Sequence, residues 1–360
     1  MDNEQNTYKL DRYDLSRDRS LRAWNAADEY LIQAYKELEI KPQRLGIYND
    51  RFGYLACHLH TEKPMLITHL SSQEKAIAAN LAANGLEALP YHKPLETLTA
   101  KLDLVLLKVP KSLDLFQLFL KDIVHNSTKE VNVICAFMTR HFSPRMIEIA
   151  ESLFEKVEQS RAHKKSRLLT LSSKKETTPR ENIITLQHGD HTYKQYPGVF
   201  SAKHIDYATQ FLLEQLQIDA STEKILDLGS GNGIIAKVAQ QQALDAEIHL
   251  VDDAYLAIAS AKLNISGDKI HHHYTNELSH FEDASFDVIV TNPPFHFEHE
   301  INIQVPLFLF KECHRCLKTS GSLQLVANQH LNYKVHLEKI FGEVVVVGEN
   351  DKFVVYNCKL

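Results

Sequence analysis

The feature that most constrains the fold of this chain is an internal similarity between its two halves. Residues 44–173 have the layout of residues 224–359, as a diverged duplicate would. Three pairs of segments match with nearly the same spacing, 44–56 with 224–236, 101–111 with 285–295, and 131–141 with 321–331. The similarity predicts that one fold occurs twice, and 360 residues are enough for two domains that each have a core.

The second half has the pattern of a doubly wound α/β sheet, in which short apolar strands alternate with amphipathic helices. Strands are predicted at 224–228, 246–251, 269–273, 286–291 and 321–327, and helices at 233–242 and 254–264. The chain ends in two β-rich runs joined by residues 348–351, which predict an antiparallel hairpin. A dehydrogenase sheet would normally end with a further crossover helix, so the hairpin argues against that class.

A glycine-rich turn follows the first of these strands. After Asp227, near the end of the strand, Gly229, Gly231 and Gly233 precede an apolar helix. Glycines at this spacing let the backbone approach a ligand closely. Asp252 ends the next strand about 20 residues further on, where a carboxylate can accept hydrogen bonds from both hydroxyl groups of a ribose.

A rigid bend follows the fourth strand, where residues 291–296 read TNPPFH. Pro293 and Pro294 fix φ and keep the backbone extended. The carboxamide of Asn292 and the carbonyl of Pro293 can therefore act as two acceptors for one planar amine, and Phe295 can stack on an aromatic ring. Asn-Pro-Pro alone is also an ordinary loop sequence, but this bend, the acid and the glycine turn at three strand ends are far more specific together.

These motifs resemble those of class I S-adenosylmethionine-dependent methyltransferases that methylate planar exocyclic or amide nitrogens. Over most of its length the chain is similar to the large-subunit ribosomal RNA guanine-N2 methyltransferase G family, which has a small-subunit relative called C. In the second half the similarity is carried by PGVFS at 197–201, LDLGSGNGI at 226–234, TNPPFH at 291–296, RCLKTSGSLQLVANQHLNY at 315–333 and KFVVY at 352–356. In the first half, LRAWNAADEYLIQ at 21–33 and LLKVPKSLDL at 106–115 favour the large-subunit family.

The resemblance implies a fold and a domain organisation. The expected fold is α/β, with two tandem Rossmann-like class I methyltransferase folds. Each would be a mostly parallel seven-stranded sheet with helices on both faces and a terminal antiparallel hairpin. Residues 1–173 would form an N-terminal methyltransferase-like domain that recognises RNA without a cofactor, 174–182 a linker, and 183–360 the catalytic domain.

The residues of the first half agree with the loss of a cofactor there. Gly53 matches the third glycine of the turn, but Asn49 and Arg51 stand where the first two would be. Bulky residues in the turn block the close backbone approach that a cofactor needs. Lys108 stands where the asparagine of the bend would be, so the amine clamp is lost as well.

The resemblance also implies S-adenosyl-L-methionine as the cofactor. The expected cofactor site comprises Phe200, Asp227, Gly229, Gly231, Gly233, Asp252, Asn276 and Asn292, and the expected catalytic set comprises Asn292, Pro293, Pro294 and Phe295. In the resembled family the loop that contains the equivalent of Phe200 closes over the cofactor, and Asn276 follows the third strand at a place suited to contact adenine. Both positions would equally suit an ordinary packing residue and an ordinary loop residue.

A group of basic residues lies between the two halves. Its members are Arg161, Lys164, Lys165, Arg167, Lys174 and Lys175, with Lys108 and Lys111 as candidates to join them. The group is either a solvated surface or a strip beside an inter-domain cleft that contacts RNA phosphates. The formal net charge of −6 argues against indiscriminate coating of nucleic acid but allows a local basic face.

Composition narrows the class further. Hydrophobic residues make up 44% and charged residues 24%, as in soluble globular proteins. The longest apolar runs have the length of strands, and residues 1–18 lack the layout of a secretory signal, so we expect a cytoplasmic location.

We expect no metal, because the three consecutive histidines at 271–273 alternate across a predicted strand and cannot all bind one ion. No obligate protein partner is evident.

The predicted reaction is direct methyl transfer to N2 of a guanine in 23S ribosomal RNA, free or partly assembled. Three alternatives stay open at this point. One is the same reaction on 16S ribosomal RNA, and another is methylation of protein glutamine or of adenine, which uses the same clamp. The third is a non-catalytic RNA-binding assembly factor with a vestigial cofactor pocket.

Overall fold

The computed structural model describes residues 8–13, 21–175, 183–201, 204–293 and 304–360. These residues fall into two compact units, with residues up to 175 in the first and residues from 183 onward in the second. Of the helices that the structure describes, none has both the length and the apolar character needed to cross a bilayer.

In the described part of the first unit, helices surround a seven-stranded sheet. The helices are α1 (Ala26–Lys36), α2 (Tyr54–His58), α3 (Ser71–Ala83), α4 (Leu113–Asn126) and α5 (Pro144–Leu153). The strands are β1 (Leu45–Tyr48), β2 (Met65–Ile67), β3 (Tyr91–His92), β4 (Leu102–Lys108), β5 (Ser127–Met138), β6 (Phe154–Gln159) and β7 (Ser166–Lys174). Short 3-10 helices lie at His60–Glu62 and Thr139–His141.

The second unit opens with a two-stranded hairpin and continues into a second seven-stranded sheet. The hairpin strands are β8 (Ile184–His188) and β9 (His191–Gln195). The sheet strands are β10 (Lys224–Leu228), β11 (Glu247–Asp252), β12 (Ile270–Tyr274), β13 (Phe286–Thr291), β14 (Leu317–Asn328), β15 (Glu343–Glu349) and β16 (Phe353–Lys359). The helices are α6 (Tyr207–Gln215), α7 (Ile234–Gln242), α8 (Tyr255–Asn264), α9 (Gln304–Cys316) and α10 (Lys334–Leu337), with a 3-10 helix at Gln329–Leu331.

The two sheets have the same topology. The strand order β3-β2-β1-β4-β5-β7-β6 of the first sheet recurs as β12-β11-β10-β13-β14-β16-β15 in the second. The antiparallel pairings are β5 with β7 and β7 with β6 in the first sheet, and β14 with β16 and β16 with β15 in the second. The remaining pairings are parallel. This confirms the predicted α/β class, the duplicated fold and the terminal hairpin.

The register of strand pairing follows the same repeat. Leu107 pairs with the last residue of β1, and Thr291 pairs with the last residue of β10. The residues that follow them, Lys108 and Asn292, therefore occupy equivalent places in the two units. The sequence comparison matched these two residues on layout alone.

The second sheet is covered on both faces. Ile225 and Val288 contribute to one apolar cluster, and their chain neighbours Leu226 and Ile289 contribute to another. Successive side chains of a strand point to opposite faces, so the two clusters lie on opposite sides of the sheet. Burial of both faces explains why the central strands read as nearly continuous apolar runs.

Side-chain hydrogen bonds fix two element boundaries of the first unit. Helix α1 begins at Ala26, because Asn25 caps it and the Asp28 carboxylate accepts a hydrogen bond from the Asn25 amide at 2.8 Å. Strand β7 ends at Lys174. Its last residue is held in place because Lys174 Nζ donates to the carbonyls of Val124 and Ser127, both at 2.7 Å.

Candidate active site

The glycine turn joins β10 to α7 and leaves open space beside the backbone. Gly229, Gly231 and Gly233 have φ values of 74°, 54° and 79°, a region in which other residues are strained. Among the described residues, a Cβ atom on Gly231 would meet no atom within 4 Å, and one on Gly229 would meet only the main-chain oxygen of Asn292, at 3.9 Å. A Cβ on Gly233 would lie 3.1 Å from Ala261, so this third glycine instead allows α7 to pack closely on α8.

Asp227 lies buried in β10 beneath this turn. Its Oδ2 accepts a hydrogen bond from the amide of Ala236 at 2.9 Å, which fixes the first turn of α7. Its Oδ1 and the hydroxyl of Ser230 are both buried and have no hydrogen-bond partner among the described residues. Burial raises the pKa of Asp227 to about 7. Buried polar atoms are rarely left unpaired, so the pair indicates space for a polar ligand.

Asp252 reaches the same turn from the end of β11. Its Oδ2 accepts a hydrogen bond from the amide of Gly231 at 2.9 Å, and its Oδ1 accepts one from Ala254 at 2.8 Å. Burial raises the pKa of Asp252 to about 6, although these two amides oppose the shift. A carboxylate oxygen can accept a second hydrogen bond, so Asp252 keeps the capacity to bind ribose hydroxyl groups.

Asn292 lies at the tip of β13, and its side chain is held in one orientation. Its amide nitrogen donates to Asp206 Oδ2 at 3.1 Å and to Thr209 Oγ1 at 2.9 Å, which uses both of its hydrogens. Its Oδ1 is buried and has no donor among the described residues. An unpaired buried carbonyl costs about 1–3 kcal/mol. Its presence beside the glycine turn therefore indicates a ligand that donates a hydrogen bond.

The start of α6 and the neighbouring strand support this asparagine. Asp206 caps α6, because its Oδ2 accepts hydrogen bonds from the amides of Ala208 and Thr209 at 3.0 and 3.1 Å. The same oxygen receives the Asn292 amide, so the cap of the helix also sets the position of the bend. Thr291 Oγ1 donates to the carbonyl of Leu228 at 2.7 Å and joins the tips of β13 and β10.

The segment that leads to Phe200 is fixed to the glycine turn by Gln195. Asn232 Nδ2 donates to Gln195 Oε1 at 2.9 Å, and Gln195 Nε2 donates to the main-chain oxygen of Ser201 at 3.3 Å. Phe200 itself is 71% exposed, so it does not pack into the core as an ordinary apolar residue would.

Comparison with known proteins places these features in a family. A family model described as the RLMG N-terminal domain matches residues 1–176, and one described as the methyltransferase small domain matches residues 190–357. The ribosomal RNA large subunit methyltransferase G of Psychromonas ingrahamii is 31% identical over 97% of this chain and 96% of its own length. The enzyme of the same name from Pseudoalteromonas translucida is 32% identical over 98% of this chain and 96% of its own length. The chain belongs to the ribosomal RNA large subunit methyltransferase G family.

A solved structure shows the same fold. A 16S ribosomal RNA guanine N2 methyltransferase from T. thermophilus, in complex with AdoMet and guanosine, superposes with a TM-score of 0.75. The alignment covers 93% of this chain and 92% of that one at 22% sequence identity.

As a member of this methyltransferase G family, the protein is a methyltransferase with S-adenosyl-L-methionine as its cofactor. The observed turn fits such a group. Two glycines leave the space that side chains would fill, and Asp227 and Ser230 present unpaired polar atoms there. Asp252 and the turn amides would hold the nucleoside part, and Asn292 lies directly beside this space.

The structure of this methyltransferase brings most of the predicted site residues together. The glycines, Asp227, Asp252 and Asn292 lie at the carboxyl ends of β10, β11 and β13, which is the edge where open α/β sheets bind ligands. Asn276 follows the end of β12 and is partly exposed. Pro293 is buried beside Asn292. Pro294 and Phe295 lie outside the described residues, so the stacking surface stays a prediction.

The basic residues of the first unit separate into two groups. Four of them use their side chains within the unit itself. Lys108 binds Asp28 at 2.6 Å, Lys174 binds two carbonyls, Lys175 binds the Glu151 carbonyl at 2.6 Å, and Arg167 binds Gln159 at 3.0 Å. Arg161, Lys164, Lys165 and Lys111 are exposed, with Lys164 3.4 Å from Glu29. An RNA contact therefore remains a prediction that rests mainly on the exposed group.

Sequence reasoning missed the residues that hold the site in place. Asp206, Thr209 and Gln195 were not among the residues selected from the sequence. An aspartate before an apolar helical segment is a recognisable cap signal. The hydrogen bond from Asn292 to that cap joins residues far apart in the chain, and nothing in the sequence pattern indicates it.

Proposed function

We propose that the second unit methylates the exocyclic N2 of a guanine in 23S ribosomal RNA. The observation that carries the proposal is the buried Asn292 Oδ1, an acceptor that the described protein leaves unpaired while the amide nitrogen of the same side chain is fully used. An amine donates two hydrogens, so it suits a site built from acceptors. The carbonyl of Pro293, the next residue, is the second acceptor.

The chemistry follows from the electronic structure of guanine. The lone pair of its exocyclic nitrogen is delocalised into the ring, so the nitrogen is a poor nucleophile. Asn292 Oδ1 and the Pro293 carbonyl each accept one of its hydrogens and turn the lone pair out of the ring plane. Both hydrogen bonds strengthen as positive charge develops on nitrogen, which favours the transition state over the ground state.

The fixed orientation of Asn292 reduces the reorganisation needed for the reaction. Asp206 and Thr209 bind its amide nitrogen, so the carboxamide cannot rotate and present a donor to the amine. When bound, the cofactor supplies a methyl group on a positively charged sulfur. The Asn292 main-chain oxygen lies near Gly229, so the amine clamp and the glycine turn are adjacent. Alignment of this kind accounts for a large part of many rate accelerations.

The guanine has to leave the RNA helix to enter such a site. N2 of a paired guanine lies in the minor groove and cannot reach a recessed pocket, so an unpaired or extruded base is the substrate. We assign Phe295 the role of stacking on this base. The exposed basic residues Arg161, Lys164 and Lys165 of the first unit would bind phosphates and position the RNA without reading its sequence.

The preference for the large ribosomal subunit rests on the relatives. Both curated relatives are named for that subunit and cover nearly the whole chain. The guanine-N2 preference is supported by the fold shared with the T. thermophilus enzyme and by the acceptor-lined site. A ribosomal RNA substrate would place the enzyme where ribosomes are assembled.

The test is a mass-spectrometric analysis of nucleosides from RNA methylated in vitro with isotopically labelled cofactor. The substrates are protein-free 23S and 16S ribosomal RNA and assembled subunits, all from a strain that lacks the enzyme. We expect labelled N2-methylguanosine in 23S RNA and none in 16S RNA. Label in adenine, in 16S RNA, or in material that survives ribonuclease but not protease would overturn the corresponding part of the proposal.

A further inference from the structure

A cluster of histidines lies at the edge of the second sheet, away from the site described above. Glu247 and His249 are two residues apart on β11, and His271 and His273 are two residues apart on β12. His249 pairs with His271 in the strand register, so all four side chains project from one face. Glu247 begins β11 and Asp252 ends it, which at roughly 3.3 Å per residue separates the cluster from the glycine turn by about 16 Å.

Three of these side chains converge on one point. Glu247 Oε1 lies 3.0 Å from His249 Nε2 and 3.0 Å from His271 Nε2. The three ligand atoms all lie within 4.8 Å of one another. Bond lengths of roughly 2.0–2.2 Å place neighbouring ligands of a tetrahedral zinc ion about 3.3 Å apart. Two of the three spacings therefore already match those of a bound ion.

The surroundings of His249 suit a ligand. Its other nitrogen, Nδ1, lies 2.9 Å from His273 Nε2, so a proton on Nδ1 can be donated to His273 while Nε2 binds a metal. Metal-bound histidines generally have such a partner, which fixes the ring orientation. Phe281 and Phe286 pack edge-on against the His249 ring at centroid distances of 5.4 and 5.3 Å and restrict its orientation.

The other two ligands face solvent. The side chains of Glu247 and His271 are each 39% exposed, whereas that of His249 is 8% exposed. An ion can therefore enter from the open side, and water can complete its coordination. Lys224 Nζ lies 3.6 Å from a carboxylate oxygen of Glu247, but this is Oε2, and Oε1 is the atom that faces the imidazoles.

We propose that Glu247, His249 and His271 bind one divalent transition-metal ion of the zinc type, with solvent water as the remaining ligand. Two imidazoles and one carboxylate form a donor set that zinc accepts. The ion joins the edge strand β12 to β11 at the end of the sheet opposite the methyl-transfer site, so its role is structural. The three consecutive histidines alone do not form this site, because His272 projects from the other face and β11 supplies two of the ligands.

The test uses metal-free, untagged full-length protein, two matched alanine variants and a third variant at His273. His271→Ala removes a proposed ligand, and His272→Ala removes the neighbouring histidine on the opposite face. We expect calorimetry to show one Zn²⁺ bound by the wild type and by His272→Ala. His271→Ala should bind more than about 100-fold more weakly, because loss of a hydrogen-bond partner outside the ligand set already costs roughly 10- to 100-fold. His273→Gln is expected to fall in that smaller range.

Two further readouts separate a metal site from an internal hydrogen-bond network. With Co²⁺, the wild type should show the visible absorption bands of a four- or five-coordinate ion, and His271→Ala should lose them. Added Zn²⁺ should raise the melting temperature of the wild type and of His272→Ala but not of His271→Ala. Equal Zn²⁺ binding by the two alanine variants, or none by the wild type, would mean that the imidazoles only donate hydrogen bonds to Glu247, and the proposal would be wrong.

Discussion

The two halves of the molecule have the same strand order and register. They differ in the contacts of the residue that lies at the tip of the fourth sheet strand, β4 in the first half and β13 in the second. In the first unit, Lys108 forms an ion pair with the buried Asp28 at 2.6 Å. In the second, Asn292 is held by Asp206 and Thr209 through its nitrogen, and its oxygen is left without a partner among the described residues. The first tip is satisfied by the protein itself, whereas at the second the described residues leave one buried acceptor open.

The turns beside these tips differ in the same sense. In the first unit both carboxylate oxygens of Asp50 accept main-chain hydrogen bonds, from Gly53 at 3.1 Å and from Ala56 at 2.8 Å. Asn49 also closes its turn, because its Nδ2 donates to the carbonyl of Lys108 at 2.8 Å. In the second unit Asp227 leaves one oxygen unpaired. In the described residues of the first unit, internal hydrogen bonds therefore satisfy the turn, and side chains stand where the second unit has its first two glycines.

The largest effect is expected at the tip itself. Asn292→Ala removes an acceptor that strengthens in the transition state, so kcat should fall by about 100- to 1,000-fold. The Kd of the cofactor should change little, because the turn and Asp252 remain. Single-turnover methylation of 23S RNA and calorimetric titration of the cofactor measure the two quantities. An unchanged rate would remove Asn292 from the mechanism.

The matched control is Lys108→Met at the equivalent position of the first unit. It leaves the Asp28 carboxylate buried without its partner, and breaking a buried ion pair in this way costs about 3–5 kcal/mol. The result should therefore be a loss of stability in urea unfolding, without a change in the chemical step at saturating RNA. A slower chemical step in this variant would mean that the two tips are less different than their contacts indicate.

The second effect concerns the open turn. Gly231→Ala adds a methyl group in space that the described residues leave open, so it should compete with the cofactor and weaken binding by about 10- to 100-fold. Gly85→Ala in the first unit is the control, because Gly85 has a φ of 67° and no atom within 4 Å of a Cβ. Both variants should lose about 1–2 kcal/mol of stability to backbone strain, but only Gly231→Ala should change the cofactor Kd.

A smaller effect is expected from the residues that orient Asn292. Thr209→Val removes one of the two acceptors of its amide nitrogen, a hydrogen bond that contributes about 0.5–1.5 kcal/mol. We expect kcat to fall by about 3- to 10-fold, with little change in KM, and Thr209→Ser to restore it. An increase in KM at constant kcat would instead indicate that Thr209 acts on RNA binding.

The smallest effect is a dependence of stability on pH. Burial raises the folded-state pKa of Asp227 to about 7, whereas an unfolded aspartate titrates near pH 4. Between these values the folded protein holds a proton that the unfolded chain has released, so stability falls as the pH rises through this window. Asp227→Asn should make the decline of the second unit shallower, and Asp50→Asn should do the same for the first, where burial also raises the pKa to about 7.

Urea titrations between pH 5 and 8 check this pair of variants. Circular dichroism reports the whole chain, and the fluorescence of Trp24, the one tryptophan of the sequence, reports the first unit. The Asp227 variant should change the circular dichroism transition but leave the tryptophan transition as it is in the wild type. If Asp227→Asn instead changed the tryptophan transition, the titrating carboxyl group would lie in the first unit and the prediction would be wrong.

The sequence was sufficient to predict the fold, and it selected residues that the structure places together beside the glycine turn. The strands and the repeat leave strong local signals, because apolar periodicity and glycine positions are set by burial and by backbone conformation. The supporting contacts leave no such signal. Gln195, Asp206 and Thr209 act through hydrogen bonds to residues distant in the chain. No sequence pattern indicated the ion pair of Lys108 with Asp28, so Lys108 was predicted as a candidate RNA contact.

The helix amide that follows each turn receives its hydrogen bond from a different chain position in each unit. Ala56 is bound by Asp50 within the loop, whereas its counterpart Ala236 is bound by Asp227 from the strand. Glycine substitutions alone in the turn of the first unit would leave the loop acid Asp50 in place. They would also supply no acid on the strand to bind the Ala56 amide instead. A turn built like that of the second unit would require both that Ile47, the counterpart of Asp227, became acidic and that Asp50 was removed, and no single substitution achieves both.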